Sequence, residues 1–217
     1  MAEQKARVLI VDDHPLVREG LAARISAQPG LEVCGEASEV ADALELVRLT
    51  RPTLVTVDLA LKRGHGLDLI KKILAEGVPT KILVVSAYEE SLFAERVLRA
   101  GAHGYINKQA LQGKVIEAIH TVLRGEHYLS AEFARRLVAR AILHKDLPRD
   151  VETLTNRELQ VFELIGQGKS TRSIAKELSL SVHTIESHRE NIRAKLNLHN
   201  GTELIQRAVQ WHLENSR

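Results

Sequence analysis

The sequence has 217 residues, of which 44% are hydrophobic, 27% are charged and 3% are aromatic, and its formal net charge is +2. This composition is sufficient for one large or two ordinary globular domains with aliphatic cores, and so small a charge does not by itself indicate a nucleic-acid binder. No apolar run approaches the roughly 20 residues that span a bilayer, the N-terminus lacks a signal-peptide h-region, and the single cysteine, Cys34, excludes an intramolecular disulfide, so we expect a cytoplasmic protein that does not bind membranes.

The first half of the chain alternates short β-branched runs with amphipathic helical patterns. This alternation is typical of a parallel sheet whose two faces are covered by helices. Strands are predicted at residues 7–11, 31–37, 53–58, 81–86 and 104–106. Helices are predicted at residues 15–27, 40–49, 66–75, 91–100 and 111–123. The pattern therefore predicts an α/β domain of five βα units.

A looser pattern follows at residues 124–150. It consists of a helical piece rich in Ala and Arg at 131–143 and then a polar stretch that contains Pro148. We interpret residues 124–150 as a partly helical linker.

Strand patterns are absent from residues 151–217, so this part predicts an all-α domain. Thr155 and Glu158 form a Thr-x-x-Glu capping box at the start of its first helix. The next two helices are predicted at residues 171–178 and 182–196. The tight turn between them ends in a good N-cap residue, Ser181, and the spacing is that of a helix-turn-helix.

Polar residues end or follow four of the five predicted strands. They are Asp12 and Asp13, Asp58, Ser86 and Lys108. Taken singly, each has an ordinary explanation as a helix cap or a solvated surface residue. The carboxyl ends of parallel strands meet at one edge of a sheet, however, so these side chains are expected to converge. Three clustered carboxylates repel one another unless a cation joins them, which predicts a Mg²⁺ site.

The order of these residues resembles the receiver domains of two-component response regulators over residues 5–123, and the resemblance implies a flavodoxin-like fold. The resemblance implies that Asp58 is the phosphoacceptor. It also implies that Asp12 and Asp13 hold Mg²⁺ together with Asp58 and the backbone carbonyl of Ala60. The reaction would be attack of the Asp58 carboxylate on phosphorus.

The same resemblance assigns a switch. Ser86 and Lys108 would bind the phosphoryl oxygens, with Ser86 moving toward the phosphoryl group and Tyr105 rotating inward behind it. The alternative interpretation of Tyr105 is a half-buried aromatic residue on an edge strand. The sequence departs from the family where many receivers follow the acceptor with Met-Pro, because residues 59–63 read Leu-Ala-Leu-Lys-Arg. Phosphorylation is still expected, in a looser and more positively charged loop.

The helical half resembles the LuxR-type domain of NarL/FixJ response regulators over residues 151–217. The matching positions are Leu154-Thr155, Arg157-Glu158, Gly168, Ser170, Ile174-Ala175, Leu178, Ser181, Thr184-Ile185, His188, Asn191-Ile192 and Lys195-Leu196. The resemblance makes 182–196 the recognition helix. Its inward face is predicted to consist of Val182, Ile185, Ile192 and Leu196. His188 fits the motif, but its role stays open between DNA contact and packing.

Residues that contact DNA are predicted on the opposite face and at the helix starts. Glu186, Ser187 and Glu190 are the expected base-facing positions. The expected phosphate contacts are Ser170, Thr171, Arg172, Thr184, Arg189, Arg193 and Lys195. Several relatives have Lys in place of Glu186. A glutamate accepts a hydrogen bond from the cytosine amino group but repels phosphate, so this residue favours sequence specificity over DNA affinity.

A last helix is predicted at residues 202–212, and its apolar residues are too many for so small a domain to bury. They are Leu204, Ile205, Ala208, Val209 and Trp211. We expect a dimer across a twofold axis through Leu204, Ile205, Ala208 and Val209, which would match an inverted-repeat operator.

The sequence therefore predicts a two-component response regulator rather than a turnover enzyme. A sensor histidine kinase would phosphorylate Asp58 and so control homodimerisation and sequence-specific binding to double-stranded DNA, with RNA polymerase as a further candidate partner. Two alternatives stay open. One is a Mg²⁺-dependent phosphohydrolase with Asp58 as nucleophile, and the other is a regulator whose receiver is a permanent dimerisation module with an unused acidic site.

Overall fold

The computed structural model describes residues 5–61, 64–143, 151 and 153–215. Two compact units are present, Met1–Arg136 and Leu137–Arg217. The predicted loop residues Lys62 and Arg63 and the linker stretch 144–150 with Pro148 lie outside the described residues.

The first unit contains a five-stranded parallel sheet in the order β2-β1-β3-β4-β5. The strands are β1 Ala6–Val11, β2 Leu31–Ala37, β3 Leu54–Val57, β4 Lys81–Ser86 and β5 Gly104–Asn107. Every residue of β3 is buried, as are five of the six residues of β4 and four of the six residues of β1, because helices cover both faces of the sheet. The predicted bounds of β2 and β4 are confirmed, those of β1 and β5 differ by one residue at one end, and those of β3 differ by one residue at each end.

Helices alternate with the strands as predicted. They are α1 Pro15–Ser26, α2 Val40–Thr50, α3 Gly66–Ala75, α4 Glu90–Arg99 and α5 Leu111–Leu123, with a 3-10 turn at Lys108–Ala110. On one face of the sheet, Val8 and Ile10 pack with Ile25 of α1 and Ile119 of α5. Since side chains alternate along a strand, Leu9 points to the other face, where it approaches Gly35. The flavodoxin-like fold is confirmed.

The chain after α5 continues along the edge of the sheet, within the range predicted as linker. The Tyr105 amide donates to the Tyr128 carbonyl at 2.8 Å, and the Tyr128 amide donates to the His103 carbonyl at 3.1 Å. A further helix, α6 Ala131–Leu143, then starts with Ser130 as its cap and with Phe133 only 4% exposed. The edge of β5 is thus covered by the chain's own next segment rather than left open.

The second unit is helical, as predicted. Its helices are α7 Asn156–Gly166, α8 Thr171–Glu177, α9 Val182–Lys195 and α10 Gly201–Asn215. The capping box at α7 is confirmed, because the Glu158 amide donates to Thr155 Oγ1 at 3.3 Å and the Thr155 amide donates to Glu158 Oε2 at 2.7 Å. The core includes Phe162 and Trp211, whose ring centroids lie 5.4 Å apart.

One predicted core residue of α9 is wrong. Ile185, Ile192 and Leu196 are buried, but Val182 is 45% exposed, because it is the first residue of the helix and lies before the turn that packs inward. Within the part of the chain that the structure describes, no helix has both the length and the apolar character to cross a bilayer.

Candidate functional site

The polar residues predicted at the strand ends converge at one edge of the sheet. Asp12 follows β1, Asp58 follows β3, Ser86 ends β4 and Lys108 follows β5. Asp58 is placed by its backbone amide, which donates to the Val11 carbonyl at 2.8 Å and so continues the β1–β3 ladder. Asp12, Asp58 and Ser86 are each at most 1% exposed.

Lys108 joins two of the carboxylates. Its Nζ lies 2.7 Å from Asp58 Oδ2 and 2.7 Å from Asp12 Oδ2. Because Asp58 and Asp12 surround the ammonium, they raise the pKa of Lys108, although burial by itself acts to lower it. Lys108 therefore stays charged at this site.

Burial dominates the protonation of Asp58. It raises the pKa of Asp58 from 3.8 to about 6, with a further contribution from the charge of Asp12, while Lys108 and the Ala60 amide act in the opposite direction. The Ala60 amide donates to Asp58 Oδ1 at 3.2 Å. A cation beside Asp58 would favour the charged carboxylate that nucleophilic chemistry requires.

Substituting Asp58 by asparagine is expected to stabilise the first unit at pH 7 in the absence of divalent cations. An acid whose pKa is higher in the folded chain destabilises the fold above that pKa, and a shift from 3.8 to about 6 corresponds to about 3 kcal/mol. The free energy of unfolding of Asp58→Asn should exceed that of wild type by the largest amount above pH 6, and this difference should shrink as the pH falls toward 4. Urea unfolding followed by tyrosine circular dichroism measures it, since all three tyrosines lie in the first unit. A variant that is less stable than wild type at pH 7 would contradict the expectation.

One residue of this site was not predicted. His14 Nδ1 lies 2.7 Å from Asp13 Oδ1, 3.2 Å from Asp12 Oδ1 and 4.0 Å from Asp58 Oδ2. The signal was in the sequence, because an imidazole directly follows the Asp12-Asp13 pair.

The acidic cluster fits a divalent cation. Asp12, Asp13, His14 and Asp58 each offer a ligand atom, and these four atoms lie within 4.8 Å of one another. Asp12 Oδ2 and Asp13 Oδ1 are shielded from solvent and accept no hydrogen bond of ordinary geometry within the described residues, although Lys108 and His14 lie at ion-pair distance. Carboxylate oxygens are the ligands that Mg²⁺ prefers. The contribution of the Ala60 carbonyl stays a prediction.

A hydrogen-bonded chain leads away from Ser86. Ser86 Oγ accepts from the Tyr88 amide at 3.3 Å, and the Tyr88 carbonyl accepts from the Tyr105 hydroxyl at 2.8 Å and from Asn107 Nδ2 at 3.0 Å. Tyr105 is fully buried, so the interpretation of a half-buried edge aromatic is wrong. The side chain already lies inward because its hydroxyl is tied to the loop after β4.

In the second unit, two serines start the helices of the helix-turn-helix. Ser170 Oγ accepts from the Ser173 amide at 3.2 Å, and Ser181 Oγ accepts from the Thr184 amide at 3.0 Å. The turn before α9 includes Ser179 at a φ of 53°. The caps fix where α8 and α9 begin, and therefore which residues of α9 can face outward.

Most of the predicted DNA-contacting residues lie on the surface. Ser170, Arg172, Glu186, Ser187, Glu190 and Lys195 are exposed, and Thr171, Thr184, Arg189 and Arg193 are half-buried. Arg189 Nε lies 3.6 Å from Glu186 Oε2, one turn apart on α9. His188 is half-buried, and burial together with the charge of Arg157 lowers its pKa, which favours the packing interpretation.

Lys195 has a partner that was not predicted. Its Nζ lies 2.6 Å from Oε2 of Glu158, the capping-box residue, whose side chain is only 5% exposed. Burial acts to raise the pKa of Glu158, but Lys195 and Thr155 outweigh it and lower that pKa. The Lys195 ammonium thus neutralises a buried carboxylate between α9 and α7. If Lys195 also contacts a DNA phosphate, as predicted, its ammonium would be shared between that phosphate and Glu158.

The predicted dimerisation surface needs correction. Leu204 and Ala208 are fully buried and Trp211 is 5% exposed, because α10 packs closely on α7, where a Cβ at Gly166 would lie 2.6 Å from the Ala208 carbonyl oxygen. The domain therefore buries these residues itself. Ile205 is 46% exposed and Val209 is half-buried, so only these two of the four predicted residues remain available to a partner.

Two family models match the chain. Residues 8–120 match "Response regulator receiver domain", and residues 152–208 match "Bacterial regulatory proteins, luxR family". Among curated proteins, the transcriptional regulatory protein LiaR of Bacillus subtilis is 33% identical over 209 residues, which is 96% of this chain and 99% of LiaR.

Solved structures agree with this assignment. A two-component response regulator of the LuxR family from Aurantimonas is 32% identical, with a TM-score of 0.60 over 64% of this chain and 99% of that chain. RcsB from Salmonella enterica serovar Typhimurium, bound to promoter P1flhDC in the presence of the phosphomimetic BeF3−, shares the fold at 23% identity, with a TM-score of 0.62 over 94% of this chain and 98% of RcsB. The chain therefore belongs to the two-component response regulators of the NarL/FixJ family, and it combines an N-terminal receiver domain with a C-terminal LuxR-type DNA-binding domain.

Proposed function

We propose that Asp58 accepts a phosphoryl group from a sensor histidine kinase, and that the phosphorylated chain dimerises and binds an inverted-repeat operator sequence-specifically. The observation that carries the proposal is the buried Asp58 carboxylate with the Lys108 ammonium 2.7 Å away. In domain terms, residues 5–123 would be the receiver, 124–150 the linker and 151–217 the DNA-binding domain, with the first part of the linker packed on β5.

The side chains suit phosphoryl transfer. An Asp58 oxygen attacks phosphorus, the bond between phosphorus and the kinase imidazole breaks, and the imidazole leaves with the bonding electrons. Lys108 neutralises a phosphoryl oxygen as a compact point charge, and the Ser86 hydroxyl donates to another. Mg²⁺, held by Asp12, Asp13 and Asp58 with the Ala60 carbonyl, would reduce the repulsion between the carboxylate and the phosphoryl group.

The contacts of Ser86 suggest how the signal leaves the site. We infer that Ser86 Oγ leaves the Tyr88 amide when it moves toward a phosphoryl oxygen, which changes the loop that Tyr105 and Asn107 hold. Two residues beyond Tyr88, Glu90 Oε1 accepts from the Ser130 amide at 2.8 Å, where α6 begins. A movement of this loop would therefore reach the start of α6 through Glu90.

For the DNA-binding domain we propose that α9 enters the major groove. Glu186, Ser187 and Glu190 would face base edges. The phosphate contacts would be made by Ser170, Thr171, Arg172, Thr184, Arg189, Arg193 and Lys195, the last of which would also keep its ion pair with Glu158. The dimer contact on α10 would use Ile205 and Val209, because Leu204 and Ala208 are buried. RNA polymerase is a candidate partner of the DNA-bound dimer.

Labelling with a small phosphodonor tests the proposal. Wild type with acetyl phosphate and Mg²⁺ is expected to incorporate label up to one phosphoryl group per chain, and Asp58→Asn is expected to incorporate none. Asp42→Asn, which removes an exposed carboxylate on α2, is the matched control and should label like wild type. Equal labelling of wild type and Asp58→Asn would contradict the proposal.

The same samples test the output. Footprinting on genomic fragments should show protection that strengthens with phosphodonor in wild type and Asp42→Asn but not in Asp58→Asn. Full operator affinity in Asp58→Asn, unchanged by phosphodonor, would instead indicate a receiver that only dimerises. Multiple turnover of a phosphomonoester would indicate a phosphohydrolase.

A further inference from the structure

His14 lies at the start of α1 with its ring turned away from that helix. It occupies the N-cap position at φ −93° and ψ 110°, yet its side chain accepts no hydrogen bond from the first turn. Its backbone amide donates instead to Asp12 Oδ1 at 2.9 Å, and its ring Nδ1 donates to the same oxygen at 3.2 Å. The backbone contact and the ring contact both hold His14 over the acidic cluster rather than over its own helix.

The separations around His14 Nδ1 match those of ligands around one metal ion. In an octahedral site with metal–ligand bonds of about 2.1 Å, neighbouring ligand atoms are about 3 Å apart and opposite ones about 4.2 Å apart. Nδ1 is 2.7 Å from Asp13 Oδ1 and 3.2 Å from Asp12 Oδ1, which are neighbour distances, and 4.0 Å from Asp58 Oδ2, which is close to an opposite distance. The ring nitrogen thus lies where a fourth ligand would.

A second observation concerns Asp13. Its Oδ1 is shielded from solvent and accepts no hydrogen bond within the described residues, although His14 Nδ1 is only 2.7 Å away. The two atoms lie at the separation of neighbouring ligands. In the cation-free chain Nδ1 donates a hydrogen bond to Asp12 Oδ1, so a bound cation would take the place of that proton. A buried carboxylate oxygen without a hydrogen bond is costly unless a cation completes its surroundings.

We propose that His14 is a nitrogen ligand of the cation at this site, so that the receiver binds divalent transition-metal ions of the Mn²⁺ and Co²⁺ class through an imidazole, as well as Mg²⁺ through its carboxylates. Imidazole suits these ions, whereas Mg²⁺ prefers oxygen and retains several waters. The His14 side chain is 61% exposed, so an entering ion can reach it from solvent. The inference rests on the cation site of the proposed function.

The test is pulsed electron paramagnetic resonance of Mn²⁺ bound to the full chain. Wild type is expected to show modulation from a directly bound nitrogen, and His14→Gln is expected to lose it. His120→Gln, which removes an exposed histidine of α5, is the matched control and should keep it. A nitrogen signal that persists in His14→Gln overturns the proposal.

Calorimetric affinities give a second readout. His14→Gln should weaken Co²⁺ binding by at least about tenfold, because removing even a group that only orients a metal ligand lowers metal affinity by about 10–100-fold. The affinity for Mg²⁺ should change by less than about twofold. Equal losses for Co²⁺ and Mg²⁺ overturn the proposal. The two proposals can fail separately. If His14 is not a ligand, Asp58 should still be labelled by the phosphodonor. If wild type and Asp58→Asn are labelled equally, the nitrogen signal of Mn²⁺ should still be present.

Discussion

Gly66→Ala is expected to lower the free energy of unfolding of the receiver domain by about 3 kcal/mol. Gly66 is the first residue of α3, and an added Cβ would overlap the Asp58 carbonyl oxygen and lie 2.7 Å from Leu59 Cα. Both are backbone atoms at Asp58, the proposed phosphoacceptor, or at the residue after it, so relief requires α3 or this loop to move. The Gly66 amide also donates to the Leu59 carbonyl at 3.1 Å, which holds the helix start against this loop.

Gly20→Ala is the matched control. Gly20 lies within α1, and an added Cβ would meet nothing within 4 Å, so alanine should stabilise the helix by about 0.5–1 kcal/mol. Urea unfolding followed by tyrosine circular dichroism reports the receiver, while the single tryptophan, Trp211, reports the DNA-binding domain and should not respond. If the two alanine variants were equally stable, the close approach at Gly66 would not be real.

Lys195→Met is expected to lower the free energy of unfolding of the DNA-binding domain by about 2 kcal/mol. Removing one partner of a fully buried ion pair costs about 3–5 kcal/mol, and the smaller figure reflects the 36% exposure of the Lys195 side chain. The methionine keeps most of the aliphatic stem of the lysine. The loss of stability therefore reports the removal of the charge that neutralises Glu158. Trp211 fluorescence during urea unfolding measures it, because Trp211 packs on Phe162 of α7, the helix that Glu158 caps.

The effect should depend on pH in a defined direction. The pKa of Glu158 is lower in the folded chain than its ordinary value of 4.5, so the stability that it contributes is present above that value and is lost as the pH falls through the folded pKa. The difference between wild type and Lys195→Met should therefore be full at pH 7 and shrink below about pH 4.5. Lys176→Met, on the exposed side of α8, is the control and should change stability by less than about 0.5 kcal/mol. A pH-independent difference would show that lost packing, not the ion pair, is responsible.

Local sequence pattern was sufficient for the helices, the strands and the convergence of the acceptor residues. The predicted bounds of β2 (31–37), β4 (81–86) and α5 (111–123) are confirmed. Apolar residues recur every two residues in a strand and every 3.6 residues in a helix, and this periodicity can be read from the sequence alone. The same reasoning brought Asp12, Asp58, Ser86 and Lys108 together, because parallel strands place their carboxyl ends at one edge whatever their exact packing.

Tertiary packing decided which side chains the fold uses internally. Whether Leu204 and Ala208 face a second chain or α7 depends on the close approach at Gly166, which no local pattern of α10 contains. The pairing of Lys195 with Glu158 joins residues 37 positions apart, and both had adequate local explanations as a phosphate contact and a helix cap.

The same limit applies to the segment after α5 and to His14. Tyr128 was assigned to a linker because the residues around it show no strand pattern. Its strand-like contact is made with Gly104 at the edge of β5 and exists only in the folded chain. His14 had the residue type of a ligand, but only the folded loops place its ring nitrogen among three carboxylates. The sequence by itself thus determined the fold and the position of the site around Asp58, because these follow from residue order along each element. The partners of individual side chains were decided by the tertiary structure, because they depend on distances between elements that are far apart in the chain.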